Sequence, residues 1–447
     1  MHSGLLNVYK SALYLKSPVV IQTILINIKS IVFKIVRENF IYKARIKKLM
    51  SNCELSRSLM LSDNKASLDK ILREASSGTS AYADLGSDIN SYPNTTKQDI
   101  QNSPGRYINK KKSNAFTFKS STGGTTGKPL ELVADLNAII EDQAQSYRQL
   151  VWAGFNKGDK RIWLRADLIV PMSQESAPYW RKNRVDNMLM MSAYHINQST
   201  LIDYVKELNR YQPRIIQAYP SAIFLLAKLI ETSNYSLDID LKSIVLSSES
   251  FSTEQKEFIE RVFNCPVFSW YGLSERVATV GTCSAGELHL IEDYGLHEFN
   301  ENGVLIATGF HNKVMPIVRY DTGDRFKGVE EEFSPCRCGL PFRRVGKIEG
   351  RVGEYLYSDI GTRVSIFNHI PKGVIGLVEL QLIQHRHKHV DAIVVHTELF
   401  NAASKIRLVN NIKEYLGNST EVKIVETNTI DRTRSGKFRQ AICHIKD

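Results

Sequence analysis

Between Arg161 and Leu273 the chain keeps changing its period. Four short β-rich runs (Arg161–Pro171, Pro213–Ser221, Leu241–Glu249 and Cys265–Leu273) are separated by helical runs at Thr200–Asn209, Ser221–Thr232 and Thr253–Phe263. Alternation of this kind predicts an α/β core with polar loops at the strand ends. Residues 1 to about 110 read as helices and loops, with the polar stretch Ser91–Arg106 on the surface. Phe116–Phe118 is a short β-prone run, and Leu130–Leu150 has helical spacing after a brief strand. Gly303–Phe310 and Pro316–Lys327 continue with a more hairpin-rich character. The last hundred residues, including Val374–Arg386 and Asp391–Leu399, read as a small α+β module. A chain of 447 residues has room for two or three domains.

The glycine-rich stretch FKSSTGGTTGKPL, Phe118–Leu130, lies just ahead of this core. Gly123, Gly124 and Gly127 permit close backbone approach. The hydroxyls of Ser121, Thr122, Thr125 and Thr126 can then surround phosphate oxygens together with backbone N–H groups. Lys128 either adds charge or faces water. A Walker A loop needs a glycine where Thr122 stands and a metal-binding hydroxyl where Pro129 stands. The stretch therefore reads as an anion-binding loop of another nucleotide enzyme, or else as a plain surface loop.

Three more stretches carry chemistry. SWYGLSER, Ser269–Arg276, ends an apolar strand with Tyr271, Gly272 and Glu275; the tyrosine suits stacking on a purine and the carboxylate suits Mg²⁺. RYDTGDR, Arg319–Arg325, places Asp321 and Asp324 around a glycine, and a fixed carboxylate such as Asp324 can accept from two ribose hydroxyls. DRTRSGKFR, Asp431–Arg439, carries Lys437, which can neutralise charge as an oxyanion attacks phosphorus. Each has an ordinary alternative: an acidic turn, a plain turn, a solvated basic cluster.

Lys plus Arg less Asp plus Glu is 58 − 47 = +11, which suits an anionic partner without choosing one. No zinc-finger spacing, RNP-like strand or basic recognition helix is present in the sequence, so nucleic acid is not expected. Six cysteines in this length do not make a disulfide scaffold, and with no cleavable signal pattern the expected compartment is the cytoplasm. Val19–Arg37 is apolar but interrupted by Gln22, Asn27, Lys29 and Lys34. It reads as a helix packed on the main domain or as an amphipathic helix that brings the protein peripherally to a membrane. Oligomeric state is not legible.

Taken in order and distance, these stretches resemble the adenylate-forming acyl ligases over roughly residues 80–440. Within that superfamily they are most similar to the branch of phenylacetate-CoA ligases, CapK-like ligases and coenzyme F390 synthetases. STGGTTGKPL resembles the phosphate loop, SSE at 247–249 the adenine strand, SWYGLSE the Glu-bearing motif and RYDTGD the ribose motif. GR at 350–351 resembles the start of the interdomain hinge, and SGKFR carries the adenylation lysine.

The resemblance implies a large multi-subdomain α/β adenylation domain at 1–349 and a small mobile α+β domain at 350–447. It assigns Ser121, Thr122, Gly123, Gly124, Thr125, Thr126, Gly127 and Lys128 to phosphate. Ser248, Glu249, Tyr271 and Gly272 fall on adenine, Glu275 on Mg²⁺, Asp324 and Arg351 on ribose, and Lys437 on the acyl phosphate. His195, within SAYHINQS, and Tyr219 fall beside the acyl pocket; a satisfied core histidine is the other reading of His195.

The implied reaction joins a small-molecule carboxylate to AMP from ATP, releases pyrophosphate, and passes the acyl group to an amine or thiol. Capsule or O-antigen polysaccharide synthesis is favoured; alternatives are an aryl-acid coenzyme A ligase and a non-catalytic nucleotide-binding homologue. The hinge departs from the common pattern, reading GRVGEY with Glu354 near the acidic position. Separately, Cys283, His289, Cys336 and Cys338 form a Cys-x5-His pair and a tight Cys-x-Cys, a set of four N/S ligands for structural Zn²⁺. His297 is the alternative fourth ligand, and separate free thiols are the alternative to zinc. Cys265 reads as core.

Overall fold

A computed structural model describes residues 8–112, 117–121, 130–165, 167–351, 355–361, 363–364, 370–371, 373–432 and 438–445. Five helices come first: α1 (Ala12–Lys16), α2 (Val19–Arg37), α3 (Phe40–Asn52), α4 (Arg57–Gly78) and α5 (Lys97–Asn102). Their starts are written locally: Ser11, Asn39, Ser56 and Thr96 accept backbone N–H groups as caps of α1, α3, α4 and α5. A two-stranded hairpin follows, β1 (Thr117–Ser121) and β2 (Glu131–Asp135), and Asp135 caps α6 (Leu136–Trp152). The glycine loop is the connection of this hairpin, since Ser121 pairs with Glu131.

The core sheet then builds up as β3 (Arg161–Arg165), β4 (Trp180–Asn183), β5 (Met188–Ser192), α7 (Leu201–Tyr211), β6 (Ile215–Ala218), α8 (Pro220–Glu231), β7 (Ser243–Ser247), α9 (Thr253–Phe263) and β8 (Val267–Gly272). It continues through β9 (Thr279–Thr282), β10 (Leu288–Leu290), β11 (Gly295–Phe299), β12 (Val304–Gly309), β13 (Tyr320–Val329) and β14 (Arg344–Arg351). Twelve strands lie in the order β11-β12-β13-β14-β10-β9-β8-β7-β6-β3-β5-β4. The five from β5 to β8 are parallel; the two flanks are antiparallel.

The parallel strands are apolar because both faces are covered. Ile162, Leu189, Ile216, Ile244 and Leu246 meet Leu226, Ile223, Ile259 and Phe263 of the helices in one buried cluster. A second cluster joins the hairpin residues Leu130 and Leu132 to Val280, Leu305, Val318 and Phe326 of the antiparallel flank.

Gly350 and Arg351 are the last residues of β14, paired with Arg325 and Asp324. After them come the short β15 (Leu356–Tyr357) and β16 (Arg363–Val364), then β17 (Leu377–Arg386), β18 (His389–His396), α10 (Ala402–Leu416), β19 (Glu421–Glu426) and β20 (Ala441–Cys443). Four of these strands form a separate sheet, β19-β18-β17-β20, with its own core of Leu382, Val390, Val394, Leu408, Ile412 and Ala441. The molecule is thus a large mixed α/β body followed by a smaller α+β one.

Helix α2 packs against the edge strand β4, as a helix on the main domain. It is also long and apolar enough, by length and composition, to cross a membrane, which its four polar interruptions did not lead us to expect.

Candidate active site at the carboxyl ends of the parallel strands

In open α/β sheets ligands bind outside the carboxyl ends of the strands. Five sequence-predicted positions collect there because each follows a strand: Tyr219 after β6, Ser248 and Glu249 after β7, Tyr271 and Gly272 at the end of β8. Arg165, the last residue of β3, was missed by the sequence reading. Its guanidinium lies 4.8 Å from the Trp163 and Tyr219 rings and donates to Ser248 Oγ at 2.7 Å. Ser248 itself is left-handed, with φ of 72°. A non-glycine residue held so costs on the order of 1–3 kcal/mol, and such strain gathers where a site must be held open.

Two motifs far apart in sequence are tied together reciprocally. Tyr271 donates its hydroxyl to Asp324 Oδ2 at 2.7 Å, and Tyr320 donates to Glu275 Oε1 at 3.0 Å. Each motif lends the other a phenol for its carboxylate. Glu275 and Asp324 are both buried, so these bonds offset the cost of desolvating an acceptor. The Asp-Thr-Gly-Asp segment is part of β13 rather than a free turn. Gly323 has φ of 67°, its N–H goes to Asp321 Oδ1 at 2.9 Å, and Thr322 Oγ1 accepts from Asp324 N. That local bend aims Asp324 toward Tyr271, and the β13–β14 register sets Arg351 opposite Asp324.

The glycine loop from Thr122 to Lys128, and Lys437, lie outside the described residues; of Ser121 and Arg351 only the backbone is described. The neighbour of that lysine, Phe438, donates its backbone N–H to Glu249 Oε1 at 2.8 Å. The other oxygen of Glu249 accepts from Ser221 N, at the N-terminus of α8. The smaller body therefore touches the larger one at the adenine-motif carboxylate.

Further along the seam Lys228 of α8 donates to the Leu377 carbonyl at 2.7 Å, Glu379 pairs with Arg432, and Val378 joins the large body's core cluster. Burial drives the Lys228 pKa down to about 8, against the attraction of Glu379, and burial raises that of Glu379. A cavity of about 1000 Å³ opens beside this seam, lined among others by Tyr194, Ile196, Asn197, Glu379, Asp431 and Arg432. His195 is not in that lining. It is buried, bonded to Ser192 Oγ at 2.8 Å and stacked on Tyr179, and burial lowers its pKa. Nor does Tyr219 line the cavity.

The four predicted metal ligands converge. Cys283 follows β9, His289 sits in β10, and Cys336 and Cys338 lie on the connection between β13 and β14, which β10 pairs beside. One ligand atom from each lies within 4.8 Å of all the others. His289 Nδ1 is 2.9 Å from the Phe342 carbonyl, which fixes the tautomer and leaves Nε2, 3.4 Å from Cys338 Sγ, to face the cluster. Burial pushes the Cys338 thiol up to about 12 and the Cys283 thiol above its usual range, while it lowers His289. Thiols so buried favour the thiolate only if a cation is bound among them. The residues fit a tetrahedral N/S metal. His297 is elsewhere, wholly enclosed, and burial lowers its pKa to about 4. Cys265 is core, pushed up to about 12 by burial.

Fold and motif order together define an adenylate-forming carboxylate ligase that depends on ATP. A family model of the CapK C-terminal domain matches residues 356–444. Protein CapK of Staphylococcus aureus is 29% identical over 97% of this chain and 99% of that one. The phenylacetate-coenzyme A ligase of Pseudomonas putida is 25% identical over 80% of this chain and 84% of that one. The same fold is seen in 2-hydroxyisobutyryl-CoA ligase in its postadenylation state with 2-HIB-AMP, with TM-score 0.63, 16% identity, and 85% and 88% of the two chains covered. In sequence the chain is thus similar along most of its length to CapK and to the phenylacetate-CoA ligases, and in fold to the adenylate-forming acyl ligases.

Proposed function

We propose that the enzyme forms an acyl adenylate from a small carboxylic acid and passes the acyl group to an amine or thiol acceptor in capsule or O-antigen polysaccharide synthesis. The observation that carries this reading is the convergence of the adenine, ribose and C-terminal motifs on one edge, through Tyr271–Asp324, Tyr320–Glu275 and Phe438–Glu249. In this reading Ser248, Glu249, Tyr271 and Gly272 hold adenine, and Asp324 and Arg351 hold ribose. Glu275 holds Mg²⁺. Ser121, Thr122, Gly123, Gly124, Thr125, Thr126, Gly127 and Lys128 surround the β,γ-phosphates. Lys437 meets the negative charge that builds as the carboxylate attacks the α-phosphorus, where one well-placed cation lowers the barrier most.

The capsule reading is favoured because similarity to Protein CapK spans nearly both whole chains, and it leaves the acceptor an amine or a thiol. The match to phenylacetate-coenzyme A ligases supports the second reading, transfer to coenzyme A. Domain limits of 1–349 and 350–447, with motion after β14, suit both. Zn²⁺ on Cys283, His289, Cys336 and Cys338 would tie β9 and β10 to the segment before β14. Work in the cytoplasm agrees with the six free cysteines.

ATP–pyrophosphate exchange across aryl acids, fatty acids, amino acids and uronic acids tests the first step before any acceptor is known. Exchange with no member of the panel, by protein that still binds ATP, would leave the non-catalytic homologue standing. Adding coenzyme A or amino sugars to the active acid then separates the two acceptors.

A further inference from the structure

Helix α2 buries Ile26 in a cluster with Ile169, Val170 and Met190 but turns most of its other apolar side chains outward. Its polar side faces the protein: Gln22 accepts from Arg181 Nε at 2.7 Å, and Asn27 donates to the Lys182 carbonyl at 2.9 Å and accepts from Arg184 N at 2.8 Å. Ser30 Oγ accepts from Asn183, and Lys34 donates to the Val185 carbonyl. These contacts run the length of β4 and the turn after it.

The opposite side is bare hydrocarbon. Val20 (69% exposed), Ile21 (44%), Ile24 (51%), Ile28 (51%), Ile31 (48%) and Ile35 (70%) stand in solvent. At the helical repeat these positions share an arc of roughly 100°, and from first to last they span about 23 Å. Scattered exposed apolar residues mean little, but a continuous ridge of this length marks a surface that something covers.

We propose that α2 seats the enzyme on the surface of an anionic lipid bilayer, lying in its plane with the ridge among the acyl chains. Charge selects this occupant over a protein groove. From Val8 to Cys53 the basic residues are Lys10, Lys16, Lys29, Lys34, Arg37, Lys43, Arg45, Lys47 and Lys48, and the only acid is Glu38. Among these, Lys16, Lys34, Lys43, Lys47 and Lys48 are exposed. An apolar ridge carried by so basic a segment is the combination that interfacial helices present to acidic headgroups. A spanning orientation would have to give up the polar seam with β4, which leaves the in-plane one. Seated so, the large body is held at the surface by its N-terminal edge, remote in sequence from the adenylation motifs.

Co-sedimentation of the full chain with vesicles tests this. Vesicles of phosphatidylcholine with phosphatidylglycerol should pellet the protein at least about tenfold more tightly than phosphatidylcholine alone. Ile24→Glu with Ile28→Glu should abolish pelleting. Lys43→Glu with Lys47→Glu and Lys48→Glu should cut it by about tenfold or more. Both variants should keep full ATP–pyrophosphate exchange in solution, which shows that they fold. Three results would each overturn the proposal: wild type left in the supernatant, equal pelleting of wild type and the double variant, or equal binding to neutral and anionic vesicles. So would a solution dimer that the double variant converts to monomer, since the ridge would then be a contact between copies.

Discussion

The Cys283–Cys338 cluster and the seam beneath the C-terminal module both bury ionisable groups, and they meet the cost differently. In the cluster the four donors come from one body, with His289 braced by the Phe342 carbonyl. Burial holds the thiols neutral there, and a cation bound among them would be what favours the thiolate. At the seam Glu379 is paired with Arg432 inside the smaller body, and Lys228 of the larger body is buried beside them at a cost that the attraction of Glu379 offsets only in part. Charges neutralised by a metal are fixed for as long as the metal stays. A lysine buried under a docked module regains water when the module leaves. The first arrangement suits a brace; the second would suit a joint, if the smaller body moves as proposed.

If the joint is where catalysis is controlled, Lys437→Ala should show the largest effect on rate. We expect ATP–pyrophosphate exchange to fall about 10²- to 10³-fold, with ATP binding and thermal unfolding unchanged. An unchanged rate with the true acid would make Lys437 surface charge and remove the module from the chemistry.

The brace should answer to stability instead. Cys336→Ser, or exhaustive chelation, should lower the unfolding temperature by several degrees and reduce folded yield, since metal binding contributes directly to folding. Metal analysis of protein purified without chelators should find about one zinc per chain. Finding none would reduce the cluster to four packed side chains.

Between these lies the reciprocal pair of motifs. Tyr271→Phe removes one hydrogen bond to a buried carboxylate, and we expect the ATP requirement to rise roughly tenfold with little change in maximal exchange. Asp324→Ala should move the same parameter further than Tyr271→Phe does. A loss of maximal rate with no change in ATP requirement would count against ribose as the ligand of Asp324.

The smallest effect is one of pH. Lys228 has a docked pKa near 8 against an ordinary 10.5, so the undocked or unfolded form binds more protons between those values. Docking of the module should therefore tighten as pH rises from about 8 to 10.5 and be weakest below 8, where burying the charge costs most. Lys228→Met should flatten that slope in unfolding experiments. An identical slope in both proteins would mean the group is solvated.

The sequence disclosed these two regions unequally, and for physical reasons. Four N/S donors are rare residue types, so the cluster is visible as a spacing before any strand is placed. Strands β6, β7 and β8 were equally legible, being short apolar runs rich in Ile, Val and Phe, and α9 lies where the helical run Thr253–Phe263 put it, with a capping box of Ser252 and Gln255 that the sequence reading passed over. Strands β4 and β5 were not. Trp-Arg-Lys-Asn and Met-Leu-Met-Met-Ser lack β-branched residues, and they are strands because β3 and α2 supply their partners. The seam was invisible too. Lys228 and Leu377 are 149 residues apart, and neither has a local pattern that names the other. The same holds for Tyr271 and Asp324: each motif could be recognised, but not the hydrogen bond that makes one site of them.

Glu249 carries a consequence of its own. One of its oxygens is held by Ser221 in the large body and the other by Phe438 in the small one. A base that competes for the second oxygen loosens the module, and by reciprocity a docked module weakens that base by the same factor. Occupancy and closure would then be read on a single carboxylate, with no relay of intervening residues to carry the message.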